Sequence, residues 1–165
     1  MTLDRLRPLA ELVLDPMVAI ADRVGLTPDG VSVIAFGFAI AAAAGFYLAT
    51  PVGYALGAVC VLANGGLDLL DRALARTQHT DSAGGDLLDH VLDRYADIVL
   101  VVGLAAGVDR YDLGLLAVTG VLMTSYLGTQ IQAVGLGREY GGIVGRADRL
   151  ALIGVAAVVA AVVAT

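Results

Sequence analysis

The stretch "DLLDRALARTQHTDSAGGDLLDHVLDR", residues 68–94, lies between two long apolar runs and carries six aspartates. An ionised aspartate at the centre of a membrane helix costs at least about 3 kcal/mol on insertion scales. Six of them therefore need water, a metal ion or one another. Their spacing is informative. At about 100° per residue, Asp71 lies about 60° around a helix from Asp68, and Ala75 only about 20°. On the following segment Gly85, Asp89 and Asp93 advance by about 40° each. Each segment thus carries two carboxylates on one stripe. The short polar connection "TQHTDSAGG" turns the two helices antiparallel, so four carboxylates converge near one membrane surface. Such charges repel unless cations lie between them, and hard oxygen ligands select Mg2+ or Mn2+ over zinc.

The rest of the chain fits a membrane setting. Of 165 residues, 58% are hydrophobic and 16% charged, against about a quarter charged in ordinary soluble domains. Mean hydropathy is +0.83. Five apolar segments cover residues 31–50, 52–70, 85–107, 113–134 and 150–165. The first four are long enough for a core of about 30 Å; the fifth is shorter. The first 30 residues are amphipathic, with Leu9, Val13, Met17 and Ile20 at helical spacing, as expected of a helix lying in the interface. In "LTPDG", Pro28 suits a helix start and Asp29 a cap; Ser82 or Asp81 suits the start of the helix after the polar connection. The expected fold is an all-α integral membrane protein: one domain over 1–165, with an interfacial helix and turn over 1–30 and five transmembrane helices over 31–165.

All ten basic residues are arginines, and net charge is −6, which argues against a nucleic-acid partner. Arg5, Arg7, Arg23, Arg72, Arg76, Arg138, Arg146 and Arg149 fall on one predicted side, with Arg110 opposite. By the positive-inside tendency the N-terminus and the aspartate-rich connection face the cytoplasm. Cys60 is alone in an apolar run and reads as a small buried hydrophobe.

The pattern Asp68-x2-Asp71-x3-Ala75-Arg76-x8-Gly85-x3-Asp89-x3-Asp93 resembles the signature of the CDP-alcohol phosphotransferases, D-x2-D-G-x2-A-R-x8-G-x3-D-x3-D. Every fixed position matches but one. The resemblance implies a six-helix membrane enzyme, usually a homodimer, so one final helix is expected to be missing or truncated here. It implies transfer of a phosphoalcohol, here a phosphatidyl- or archaetidyl-like lipid group, from a CDP-linked lipid donor to a small alcohol or phosphoalcohol acceptor, with release of CMP. It places two divalent cations, Mg2+ or Mn2+, on Asp68, Asp71 and Asp89. Asp93 completes the metal site and serves as the base. Asp68, Arg72, Ala75, Arg76 and Gly85 fall at positions near the nucleotide.

The departure is Arg72, which stands where the family has glycine. It lies about 40° from Asp68, on the carboxylate stripe itself. A guanidinium there can pair with Asp68 or Asp71 in place of a metal, or snorkel outward and leave the site open. Arg138, Arg146 and Arg149 could clamp a phosphate of the acceptor or lipid, or simply anchor the cytoplasmic side. Arg94 is expected to pair with an aspartate, Asp86 and Asp97 to play supporting roles, and His79 and His90 to be polar loop and interface residues. Asn64 reads equally as a site residue or a helix–helix hydrogen bond. Two other readings compete: a membrane prenyltransferase, on the strength of "NGGLDLLD", and a catalytically impaired family member that binds metal without turnover.

Overall fold

The computed structural model describes residues 7–80, 82–136 and 145–163, with side chains from residue 14 onward. It forms six helices: α1 (Arg7–Arg23), α2 (Pro28–Tyr47), α3 (Pro51–Gln78), α4 (Ala83–Gly107), α5 (Tyr111–Ala133) and α6 (Arg146–Val163). The expected all-α membrane architecture is observed. By length and apolarity α2, α3 and α5 can each cross a membrane. The helix α4 carries charge through its first half and α6 at its start, and most of those charges belong to the site described below.

Helix starts follow simple capping chemistry. Thr27 and Thr50 each precede a proline, and their hydroxyls accept from the N–H groups of Gly30 and Gly53. Proline at the first helical position leaves no amide unsatisfied and makes the preceding residue the cap. Thr27, not Asp29, therefore caps α2, and Asp29 lies inside its first turn. Ser82 caps α4 by accepting from the Gly85 amide. At the other end of the connection His79 terminates α3 in a left-handed conformation, φ 52°.

The helix α2 is the hub. It packs along both α3 and α4, while α6 packs on α3, α5 on α4 and α1 on α3. Small residues allow this close approach, as is common where helices meet in lipid. Ala35, Ala39 and Ala42 of α2, Ala58 of α3 and Ala96 of α4 are all buried. A Cβ on Gly45 would lie 2.6 Å from the Gly53 carbonyl oxygen, and one on Gly103 2.6 Å from that of Ala43. Phe46, Tyr54, Val61, Leu100 and Leu150 fill the remaining core.

A second cluster joins α1 to the polar end of the bundle, where Val18 and Ala21 meet Val31, Leu70 and Leu74. The α1 face bearing Met17 and Ile20 stays exposed, as expected for a helix with its apolar side toward lipid. Its docking to protein uses the adjacent face instead.

Because α3 and α4 each pack on α2, they diverge enough to leave a hollow between their polar ends. Replacing Gly45 by alanine should force α2 and α3 apart and cost roughly 1–3 kcal/mol. The same change at Gly37, where a Cβ meets nothing within 4 Å, should be neutral or slightly stabilising. Thermal unfolding of the two variants in the same detergent checks the contrast.

Candidate active site

The polar ends of α3 and α4 bring the four motif carboxylates together. Asp68 and Asp71 are buried on α3 and Asp93 is buried on α4. One carboxylate oxygen from each of Asp68, Asp71 and Asp89 lies within 4.8 Å of the others, a spacing suited to a shared cation. Asp71 is held from below: the Ser32 hydroxyl of α2 donates to its Oδ2 at 2.7 Å. Its Oδ1 is buried without a hydrogen-bond partner. A buried carboxylate oxygen left unsatisfied beside two further carboxylates is a costly arrangement in the absence of a cation. The all-oxygen donor set suits Mg2+ or Mn2+, so the residues present fit that cofactor.

Arginines answer most of the remaining charge. Arg146, at the start of α6, spans Asp68 and Asp93 with both contacts at 2.7 Å. Arg149, one turn on, donates to Asp97 at 2.8 Å. Arg94 reaches Asp97 at 3.5 Å and Asp93 at 3.9 Å, and also donates to the Ser125 hydroxyl of α5. Arg72 does not snorkel away. Its Nη2 lies 3.1 Å from Asp68, 3.5 Å from Asp89 and 3.9 Å from Asp93. The expected pairing with Asp68 is present; the nearest alternative is Asp89, across the hollow, rather than Asp71.

Two cavities flank this cluster, each of about 340 Å3. The first is polar and takes in Asp71, Asp89, Ala75, Arg76 and Gly85, with Pro28 and Asp29 from the start of α2. With Arg72, it thus unites four of the five positions expected near the nucleotide. A Cβ on Gly85 would press on Asp29 Oδ1 at 3.2 Å, so glycine there keeps the cavity open. The second lies between α3 and α6, lined by Val61, Leu62, Leu69 and Leu150 with Arg146 at its polar end. Arg72 borders both.

Asn64 donates to the Ala35 carbonyl across α2 and α3 at 2.8 Å, the expected helix–helix hydrogen bond, and lies beside the carboxylates. His90 meets only the Asp86 backbone carbonyl among the contacts described for it. Arg138 and Asp81 lie outside the described residues. Ser32 was not singled out in the sequence, and Asp29 was read only as a helix cap. The Thr-Pro start of α2 fixes the helix register, but no local signal shows that Ser32 meets Asp71.

No family model matches the chain. It is 36% identical over 152 residues to archaetidylinositol phosphate synthase of Methanothermobacter thermautotrophicus, covering 92% of this chain and 74% of that protein. It is 30% identical over 161 residues to the Pyrococcus horikoshii protein of the same name, covering 97% and 84%. Its fold matches a crystal structure of Mycobacterium tuberculosis phosphatidylinositol phosphate synthase in complex with manganese and citrate. That match has a TM-score of 0.73 at 25% identity, over 92% of this chain and 83% of the other. The chain belongs to the CDP-alcohol phosphotransferase family. It is an Mg2+- or Mn2+-dependent transferase that moves a substituted phosphate group from a CDP-linked donor to an alcohol, releasing CMP. The prenyltransferase reading is thereby set aside.

Removing the Asp71 carboxylate and removing its support should differ in degree. Ser32→Ala should weaken Mn2+ binding about 10–100-fold, the usual loss for a partner behind a metal ligand. Asp71→Asn should weaken it further. Titration of the purified protein with Mn2+, followed by the electron paramagnetic resonance of the free ion, checks the order.

Proposed function

We propose that the acceptor is an inositol phosphate and that the product is the corresponding lipid phosphoinositol phosphate. Both archaeal relatives are named for that product. The observation that carries the reading is the pair of α6 arginines at the carboxylate cluster. Arg146 and Arg149 each keep a buried Nε–H without a hydrogen-bond partner, and planar guanidinium donors are suited to phosphate. An acceptor bearing a phosphate gives two clustered arginines a ligand; an uncharged alcohol such as free inositol does not use them in this way.

In this reading Asp68, Asp71 and Asp89 hold the divalent cations, with Asp93 completing the set. When bound, the ions neutralise the donor's diphosphate and stabilise departing CMP. Ala75, Arg76 and Gly85 seat the nucleotide in the polar cavity. Asp93 accepts the proton of the acceptor hydroxyl as its oxygen bonds to the β-phosphorus and the bond to CMP breaks. Arg146 fixes the Asp93 carboxylate in position for this step. The lipid part of the donor remains at the membrane, with the site and the N-terminus on the cytoplasmic side, in keeping with the arginine distribution. A homodimer is inherited from the family resemblance, and Arg72 replaces the family's motif glycine.

The test is CMP release from a CDP-linked lipid with Mg2+ or Mn2+ and a panel of acceptors: inositol phosphate, inositol, glycerol phosphate and serine. Inositol phosphate should give the highest kcat/KM. Asp93→Asn should lower kcat about 10²–10⁴-fold, the range for loss of a positioned base. Preference for another acceptor overturns the assignment.

A further inference from the structure

We infer that Arg72 is a tethered cation occupying one of the two cation positions in the free enzyme, so that the site takes a single divalent ion until the donor's diphosphate arrives. The inference rests on the assignment of Asp68, Asp71 and Asp89 as metal ligands. Three observations support it. First, the Arg72 guanidinium sits among Asp68, Asp89 and Asp93 at 3.1–3.9 Å, where a cation between the two stripes would bridge the same groups. Secondly, it does not reach Asp71, whose Oδ1 is the fully buried carboxylate oxygen at this site without a hydrogen-bond partner among the described residues. The unmet demand for positive charge is therefore on the Asp71 side and not on the Asp93 side. Thirdly, the Arg72 side chain is half exposed and borders both cavities, which gives it room to withdraw.

Charge balance sets the order of events. Asp29, Asp68, Asp71, Asp86, Asp89, Asp93 and Asp97 face Arg72, Arg76, Arg94, Arg146 and Arg149, leaving two net negative charges. One divalent ion on Asp71 already neutralises them. A second would leave two net positive charges beside Arg72, at unfavourable Coulomb energy. A CDP-linked donor brings two negative charges in its diphosphate, which offset the second ion. The second cation therefore enters together with the donor. In a site with glycine at this position the two ions can bind before it.

Equilibrium dialysis against Mn2+, with bound metal counted per chain, tests this directly. Free CDP is the soluble diphosphate probe, and nucleotide without protein is the blank. The given chain should bind one Mn2+ alone and two with CDP. Arg72→Gly should bind two without CDP, with the second at least about tenfold tighter than in the given chain; solvent screening of the half-exposed guanidinium limits the effect. Arg72→Lys, which keeps a tethered charge, should retain the one-ion behaviour, and Arg72→Ala replaces the glycine variant should that fail to fold. Two ions of equal affinity in the given chain and in Arg72→Gly overturn the role of Arg72 while leaving the metal assignment intact. No Mn2+ bound to any variant overturns both.

Discussion

The structure depends on keeping four carboxylates at the polar end of an otherwise apolar bundle. Burying like charges side by side is tolerable only when cations and hydrogen bonds reach each of them. The surrounding architecture can be read as the means of delivering those partners. Ser32 is placed by α2, Arg72 by α3, Arg94 by α4, and Arg146 and Arg149 by α6. Arg72 and Arg94 reach carboxylates of their own helices, whereas Arg146 spans the gap between α3 and α4. Their separation by α2, made possible by small residues along it, creates the hollow that the chemistry uses.

The same arrangement links stability to function. Arg146 bridges carboxylates on α3 and α4, so the start of α6 is positioned by the groups to which we assign metal binding and proton transfer. Removing Asp68 or Asp93 would take from the largely buried Arg146 guanidinium one of the two carboxylates that hold it, a costly change for a buried charge. Activity losses on substitution at these positions therefore mix chemistry with positioning of α6, whereas Asp71, with Ser32 as its described hydrogen-bond partner, reports on metal binding more cleanly.

Much of this was legible in the sequence because it rests on periodicity within single helices. The aspartate spacing predicted two facing stripes, and the apolar runs located the helices to within a few residues, except that α3 continues past residue 70 to Gln78 to carry Asp71, Ala75 and Arg76. Arg72 was legible for the same reason: four residues after Asp68 it must share that face. What could not be read is whatever depends on a third helix. Neither the hub position of α2 nor the reach of Ser32 to Asp71, 39 residues away, has a local signature. The destination of Arg146 is hidden likewise, since a charge at the start of a helix reads equally as an interfacial anchor. Asp29 was misassigned as a cap because proline at position 28 shifts that role to Thr27, a register difference of two residues.

Arg72 changes what the signature itself means. Glycine, which the resembled signature has after the second aspartate, carries no side chain to enter the space between the stripes. Arginine fills that space with a cation that is permanently charged, planar and attached to the chain. It also relieves repulsion when metal is scarce, so the carboxylates of this chain have a partner before any ion binds. The consequence is a trade between a preassembled site and an open one. Arg72 supports the stripes in the free protein at the expense of the position that an incoming cation would occupy, and the donor's own negative charge is the natural agent to reverse that balance.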